Sequence, residues 1–520
     1  MPSESVNPQQ AMWEAKPEAA SGPARPVRPE EKEPRLKRVN RQQLLLRTVN
    51  VEELVESDHV VRALWELVGG LDRSRFYEDI EAVEGVAGRP AFDPQLLISL
   101  WIYAYSDGVS SAREVERRCA YHPAYQWLTG MERVNHHTLS DFRVQHQEAL
   151  DELFAQVLGV LSAEGLITLE RVMHDGTKVK AAASGKSFRR EETLRAHLEQ
   201  ARERVRQMGD PRGEEVSPRR AQAQERARRE KVERLEQALG EMGKVQAAPQ
   251  SRTDPAQRRV SETDPEARMM KQGDGGRAPS HNVQISTDAA HRLIVGVSVT
   301  QSANDEGQLP GALDEVERNL GQLPQQVVAD AGYSTRETIL QMEERQIDFI
   351  GGTVEGGGRS RPRPGIDPAF RAQAFAYEAE RDLYTCPAGK ELGRRGTEPA
   401  RVGVMHHVYQ AQAGDCRRCV FRPQCCAGAA ARRILRSENV PVVAAFVEKM
   451  KTPAAQAVYR LRGAVAEFPH AWLKAKIGLR QFRVRGLKKV RCEALWACLT
   501  YNIQQWVRVR WRARLAPAQA

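Results

Sequence analysis

The sequence lacks the long apolar runs that membrane-spanning helices require. Its most hydrophobic stretch, residues 96–105 (LLISLWIYAY), covers only ten residues, whereas a membrane-spanning helix needs about 20. The first residues (MPSESVNPQQ) also lack the basic and then apolar pattern of a signal peptide. We therefore expect neither membrane insertion nor export, and we expect a cytoplasmic protein.

Acidic residues are scarce in the last seventh of the chain. The whole sequence has 78 Lys and Arg against 68 Asp and Glu, a formal net charge of +10. Residues 451–520 hold fifteen Lys or Arg but only two acids, Glu467 and Glu493, a local charge of +13. Such a concentration favours a polyanionic partner, most simply nucleic acid. A solvated basic tail is the alternative, but the aromatic residues of this segment indicate folded structure: Trp472, Phe482, Trp496, Tyr501 and Trp506.

The N-terminal third divides into a polar leader and a helical domain. Residues 1–40 are rich in Pro, Glu, Lys and Arg, which predicts a disordered leader. Helical spacing of apolar residues predicts an all-helical domain over 41–166, ending in a long helix from Leu139 to about Glu164. Arg143 and His146 would lie near one face of that helix and are candidates for reading DNA. An ordinary polar outer face is the alternative.

After residue 166 the pattern predicts strands. Residues 167–174, 281–287 and 292–300 read as three strands in meander order, and two further strands, 326–329 and 347–351, alternate with helices. This order predicts an α/β core in which the later strands lie parallel to the first. The predicted core comprises residues 167–186, 278–351 and 447–510, and its last part supplies closing helices.

Two insertions interrupt this core. Residues 187–277 carry many charges, yet apolar residues recur at heptad-like spacing in two stretches, which predicts a helical hairpin packed as a short antiparallel coiled coil, followed by loop. Residues 352–446 contain Gly- and Pro-rich loops, short strands and most of the cysteines. We predict a β-rich insertion there.

The eight cysteines fall into two groups. Cys119, Cys492 and Cys498 lie in apolar helical patterns, where small buried hydrophobic residues are expected. The others cluster in YTCPAGK and DCRRCVFRPQCC, and without an export signal a disulfide framework is not expected. We predict a tetrahedral zinc site like a split zinc ribbon. Its ligands would be Cys386, Cys416, Cys419 and Cys425, or Cys426 in place of the last. Free thiols in a small β domain are the alternative.

Two aspartates follow predicted strands of the core. Asp175 follows the first strand in HDGTKV, and Asp330 follows the fourth in VVADAGYS. If both strands are central and parallel, the two carboxylates converge at one edge of the sheet. Paired carboxylates suit divalent metal, and two Mg²⁺ ions can support phosphodiester cleavage. The alternative is ordinary turn chemistry.

A third acid lies in the basic C-terminal segment. Arg460, Glu467 and Lys474 are seven residues apart, so they share one helix face. Glu467 is therefore either an ion-pair partner of its neighbours or a metal ligand among cations that contact DNA. The sequence pattern leaves both alternatives open.

Together these motifs resemble the Asp-Asp-Glu signature of bacterial insertion-sequence transposases. The strings HDGTKV and VVADAGYS and the run Tyr459, Arg462, Glu467, Lys474 resemble the branch whose last motif is Tyr-x2-Arg-x3-Glu-x6-Lys. SAREVERRCAYHPAYQWLTG and HHTLSDFR resemble the DNA-binding part of the same family. Here four residues rather than three separate Arg462 from Glu467, so either Arg460 or Arg462 takes the arginine's role.

The resemblance implies a ribonuclease-H-like core in which Asp175, Asp330 and Glu467 bind two Mg²⁺ or Mn²⁺ ions. It implies that Tyr459, the motif arginine and Lys474 position the element's end. The expected partner is double-stranded DNA, both transposon ends and target, bound by a homodimer associated with the nucleoid. A catalytically silent DNA-binding regulator and a nuclease that cuts without joining are the alternatives.

Overall fold

The structure is a computed structural model. It describes residues 41–82 (without 43, 45 and 47), 90–207, 218–247, 254–352, 366–399, 405–426, 428–437 and 441–515. The predicted leader, residues 1–40, lies outside the described residues. The helices and strands below belong to one compact unit, residues 50–520.

The first part of this unit is helical. Its helices are α1 (Val60–Gly69), α2 (Ser74–Tyr77), α3 (Pro94–Ser106), α4 (Ala112–Cys119), α5 (Pro123–Thr129), α6 (His136–Gln145) and α7 (Gln147–Ala163). Asp93 caps α3 by accepting the N–H of Gln95, and Asn135 caps α6 by accepting those of His137 and Thr138. The single long helix predicted from Leu139 is therefore wrong. Two helices meet at His146, whose backbone (φ −94°, ψ 58°) is not helical.

The strands follow from residue 171 onward. They are β1 (Arg171–Lys180), β2 (Phe188–Arg189), β3 (Val260–Ser261), β4 (Arg268–Lys271), β5 (Arg277–Asp288), β6 (Ile294–Thr300), β7 (Gln326–Ala329), β8 (Asp348–Gly351), β9 (Ala376–Glu378), β10 (Leu383–Thr385), β11 (Glu391–Pro399), β12 (Met405–Ala411) and β13 (Arg433–Ser437). The remaining helices are α8 (Glu191–Arg206), α9 (Pro218–Ala247), α10 (Leu309–Leu320), α11 (Arg336–Glu344), α12 (Ala413–Arg417), α13 (Arg422–Cys425), α14 (Pro441–Lys451), α15 (Pro453–Ala475), α16 (Leu487–Trp506) and α17 (Arg512–Leu515). The predicted mixed α/β class is confirmed.

The main sheet has the order β4-β5-β1-β7-β8, and β6 pairs with the free part of β5. β1 is antiparallel to β5 and parallel to β7, which is parallel to β8. The first strand begins four residues later than predicted and continues to Lys180, because antiparallel pairing with β5 extends from Val172 to Lys180. Asp175 therefore lies within β1 rather than after it.

Helix α16 joins the helical part to the sheet. Its residues are buried on nearly every face, and it belongs to one hydrophobic cluster with residues of α1, α3, α7, β5 and β6. The Trp496 indole donates to the carbonyl of Arg143 (3.1 Å). The Asn502 amide accepts from the N–H of Ile294 (2.8 Å) and donates to its carbonyl (2.7 Å), so it ties α16 to β6.

The two insertions each have a small core of their own. Helices α8 and α9 pack through Leu194, Leu198, Leu235 and Met242, and β2 pairs with β3 beside them. The second insertion is an antiparallel sheet of order β13-β12-β11-β10-β9 around Tyr409. Among the described residues, no helix has both the length and the apolarity needed to span a membrane.

Candidate active site

Asp175 occupies the middle of the central strand β1. Its side chain is only 20% exposed, and Oδ2 lies 3.5 Å from Nη1 of Arg462 on α15. Burial raises the pKa of Asp175 to about 6, although the Arg462 guanidinium and the N–H of Gly176 oppose the shift. Because burial disfavours the ionised form of Asp175, a nearby cation would stabilise that form.

Asp330 follows β7, the parallel neighbour of β1. Its Oδ1 accepts the N–H of Gly332 (2.6 Å), so the residue does form the local turn expected from Asp-Ala-Gly. The charge of Asp330 also contributes to the raised pKa of Asp175. The two carboxylates therefore lie close enough, at the sheet edge where β7 ends, for the charge of Asp330 to act on Asp175. Asp330 forms its local turn as well.

Helix α15 supplies cations to the same edge. Lys474 donates to the hydroxyl of Thr177 on β1 (2.5 Å), and burial lowers its pKa. The Arg462 guanidinium lies 5.9 Å from the ring centre of Tyr459. Arg460 is exposed, so Arg462, not Arg460, is the arginine that reaches Asp175.

Glu467 also lies on α15, but its side chain is exposed. Within the described part of the chain, no three His, Cys, Asp or Glu side chains are arranged to hold a metal ion. The structure thus brings Asp175 and Asp330 together and does not bring Glu467 into a ligand group with them.

The structure adds Asp305, which the sequence reasoning missed. Asp305 lies in the loop between β6 and α10 and accepts hydrogen bonds from Lys178, Asn282 and Gln284. Its charge also contributes to the raised pKa of Asp175. The string Asn-Asp-Glu-Gly is ordinary loop composition. Only the placement of β5 and β6 beside β1 brings this acid to the site.

Two histidines near Asp175 are buried and neutral at physiological pH. Burial lowers the pKa of His174 to about 4. Burial, together with the charge of Lys474, lowers the pKa of His470 to about 3. Neither histidine can therefore serve as a cation for DNA in this conformation.

Arg143 does not lie on a DNA-reading surface. It is 5% exposed, donates to the carbonyl of Ser110 (2.8 Å), and stacks 4.8 Å from the ring centre of Trp101. The prediction that Arg143 reads DNA is therefore wrong. The helix pattern gave its position along α6 but not the packing of α3 and α16 against that face.

The clustered cysteines line one small cavity of about 30 Å³ in the second insertion: Cys386, Cys416, Cys419, Cys425 and Cys426. The N–H of Lys390 donates to the sulfur of Cys386 (3.2 Å), and the N–H of Arg432 donates to that of Cys416 (3.4 Å). Burial raises the pKa of Cys425 to about 11. The described thiols are not arranged as a metal-binding group, so the structure does not support the predicted zinc site.

Two segments of the chain match models of known protein families. Residues 385–507 match the transposase DDE domain, and residues 49–145 match a transposase domain called DUF772. The first segment contains α15 with Arg462, Glu467 and Lys474, and the second contains helices α1 to α6. A search of curated proteins gave no match to the chain.

Proposed function

Since the chain belongs to the insertion-sequence transposases with a DDE domain, we propose that it binds the terminal inverted repeats of its element and catalyses metal-dependent DNA cleavage and strand transfer. The proposal depends most on Asp175 in β1 and on Asp330, which follows the parallel neighbour β7 and whose charge helps to raise the pKa of Asp175. Glu467 on α15 is proposed as the third acid.

The sheet order supports a ribonuclease-H-like core. Strands β6, β5 and β1 form an antiparallel meander, and β7 and β8 extend it in parallel with β1. We propose the domain division drawn from the sequence. The core comprises 167–186, 278–351 and 447–510, and a helical DNA-binding domain covers 41–166. The insertions are 187–277 and 352–446.

The donor set fits divalent metal in part. Asp175 and Asp330 offer carboxylate oxygens, the ligands that Mg²⁺ and Mn²⁺ prefer, and the buried Asp175 gains from a cation. Glu467 would complete the set only if its exposed side chain turned toward them. Two ions held there would supply an activated water and stabilise the leaving oxygen of the phosphodiester.

The cations of α15 would hold the DNA end. Lys474 and Arg462 are anchored by Thr177 and Asp175, so their charges are fixed beside the acids rather than free in solvent. A phosphate held by these groups would be oriented before reaction. Tyr459 beside Arg462 and the exposed Arg460 are proposed as further DNA contacts, and the protein is proposed to act as a homodimer associated with the nucleoid.

Substitution of the two aspartates tests this function. Asp330→Asn and Asp175→Asn should keep binding to a duplex carrying the DNA that flanks the coding region, but lose Mg²⁺-dependent strand cleavage, because the amide removes the charge that binds metal. Asp314→Asn is the matched control, since Asp314 is exposed and pairs with Arg345.

Three outcomes would change the proposal. Cleavage by Asp330→Asn near the wild-type rate would remove Asp330 from the site. Wild-type protein that binds the flanking DNA but never cleaves it would favour a silent regulator. Wild-type protein that cuts donor ends but never joins them to added target DNA would favour a nuclease.

A further inference from the structure

The two faces of β1 meet different partners, because successive side chains of a strand point to opposite sides. Asp175 and Thr177 face α15, where they meet Arg462 and Lys474. His174 and Lys178 face the other side, where they meet Gln284 and Asp305. Strand β1 therefore makes polar contacts on both faces, with α15 on one side and with Gln284 and Asp305 on the other.

Asp305 is the most heavily bonded group on that second face. Its Oδ1 accepts from Asn282 Nδ2 (2.7 Å), Gln284 Nε2 (2.9 Å) and Lys178 Nζ (3.0 Å), and its Oδ2 accepts from Lys178 Nζ (3.2 Å). Burial alone would raise the pKa of Asp305, but these donors hold it below its usual range. The carboxylate is therefore ionised and fixed by donors from two strands.

The bond to Asp305 decides which way the Gln284 amide points. A carboxylate oxygen can only accept, so Gln284 Nε2 must face Asp305 and Oε1 must face away. Oε1 then accepts from the hydroxyl of Tyr333 (2.7 Å) and from Nε2 of His174 (2.9 Å). His174 carries its proton on Nε2, and its Nδ1 accepts from the hydroxyl of Ser286 (2.9 Å).

This chain of bonds ends on His174 and Tyr333, which lie close to the two aspartates of the proposed site in the sequence. His174 directly precedes Asp175 on β1. Tyr333 closes the turn after Asp330, because its N–H donates to the Asp330 carbonyl (3.2 Å). The space beside Gly176 of β1 is filled by this network. A Cβ on Gly176 would lie 2.4 Å from Gln284 Nε2, 2.6 Å from Asp305 Oδ1 and 2.9 Å from the Tyr333 hydroxyl.

We propose that Asp305 is a positioning residue of the catalytic site, which orients Gln284 and through it the segments that carry Asp175 and Asp330. The inference rests on the proposed function. Without the carboxylate, the Gln284 amide has no fixed orientation, and the Tyr333 hydroxyl and the His174 ring lose their defined acceptor. The aspartates would remain present but would no longer be held at a fixed separation.

Single-turnover cleavage of a duplex carrying the flanking DNA, in Mg²⁺, tests this role. Asp305→Ala should lower the cleavage rate about 10- to 100-fold, the usual effect of losing a group that orients metal ligands. Its Kd for the same duplex should stay within about twofold of wild type, because the DNA-contacting cations are untouched. Asp305→Asn should recover part of the rate, since its amide oxygen can still accept from Gln284 while the charge opposite Lys178 is lost.

Two comparisons separate positioning from simple stability. Glu306→Ala removes the neighbouring exposed carboxylate and should leave the cleavage rate and Tm unchanged. Tyr333→Phe should also slow cleavage, and adding it to Asp305→Ala should cost little more, because both act through Gln284. A purely structural role would lower Tm and the fraction of active protein but not the rate per folded molecule.

The inference is overturned if folded Asp305→Ala cleaves within twofold of wild type, or if the effects of Asp305→Ala and Tyr333→Phe multiply. Asp330→Asn is measured in the same assay as a reference for the proposed site. If the wild-type protein does not cleave, the proposed function has failed, and if Asp330→Asn cleaves normally, Asp330 is not in the site that Asp305 is proposed to position. If Asp330→Asn is inactive while Asp305→Ala is fully active, only the positioning role has failed.

Discussion

Replacing Arg143 by methionine should destabilise the protein rather than alter its choice of DNA sequence. The buried guanidinium donates a hydrogen bond to the Ser110 carbonyl, worth about 1.5–3 kcal/mol for a charged donor. Methionine cannot form this bond, so it is lost in the variant. The guanidinium's contact with the Trp101 ring, about 0.5–2 kcal/mol, is lost as well. We expect the free energy of unfolding to fall by about 2–5 kcal/mol, the sum of these contributions.

The pH dependence of this loss has a defined sign. Burial raises the pKa of Glu493, and the positive charge of Arg143 opposes that shift. In Arg143→Met the opposing charge is gone, so the ionised Glu493 costs more stability above its pKa. Protonation removes that cost, and the stability gap between variant and wild type should narrow as the pH falls toward about 4.3, the unfolded-state pKa of Glu.

Urea denaturation measured between pH 7 and pH 5 tests both statements. Arg133→Met is the matched control, because Arg133 is 72% exposed and pairs at the surface with Glu116. It should cost about 0–1 kcal/mol. If Arg143→Met keeps wild-type stability but loses sequence-specific DNA binding, the buried position of Arg143 is wrong and the original DNA-reading prediction is restored.

Three further predictions concern α15 and the cysteines. Glu467→Gln should abolish cleavage and keep or tighten DNA binding if Glu467 is the third acid, and a variant that still cleaves would make it a surface residue. Lys474→Ala should weaken DNA binding and lower its salt dependence by about one phosphate contact, and an unchanged salt slope would remove Lys474 from the interface. Freshly purified protein should hold no stoichiometric zinc by elemental analysis, because the described thiols are not arranged as a metal-binding group, and about one zinc per chain would restore the predicted cysteine site.

The sequence predicted those strands whose residues alternate or run apolar between clear turns. The predicted strand 326–329 matches β7, because a short apolar run before Asp-Ala-Gly has an unambiguous end. The bounds predicted for β1 are wrong, because the second half of the strand is polar. His174 and Gly176 stay in the strand through pairing with Ser286 and Gln284 of β5, a partner more than a hundred residues away. A pattern of neighbouring residues cannot predict such a long-range pairing.

The same limit applied to the site. Asp175 and Asp330 could be chosen because each stands in a short motif near a strand end. Asp305 could not, because its importance comes from Asn282 and Gln284 on another strand. The prediction for Arg143 is wrong for the opposite reason. A charged residue on a helix is usually exposed, and only the packing of α3 and α16 over α6 buries it.

The position of α16 also constrains how the protein is made. Helices α1 to α7 are synthesised long before α16, yet their core includes α16. At about 5–20 residues per second, the ribosome needs roughly 20–70 s to pass from α7 to the end of α16. During that interval Trp101 and Leu150 lack their final neighbours. Chains released early would expose this surface, so truncated products should be cleared by proteases rather than compete for DNA.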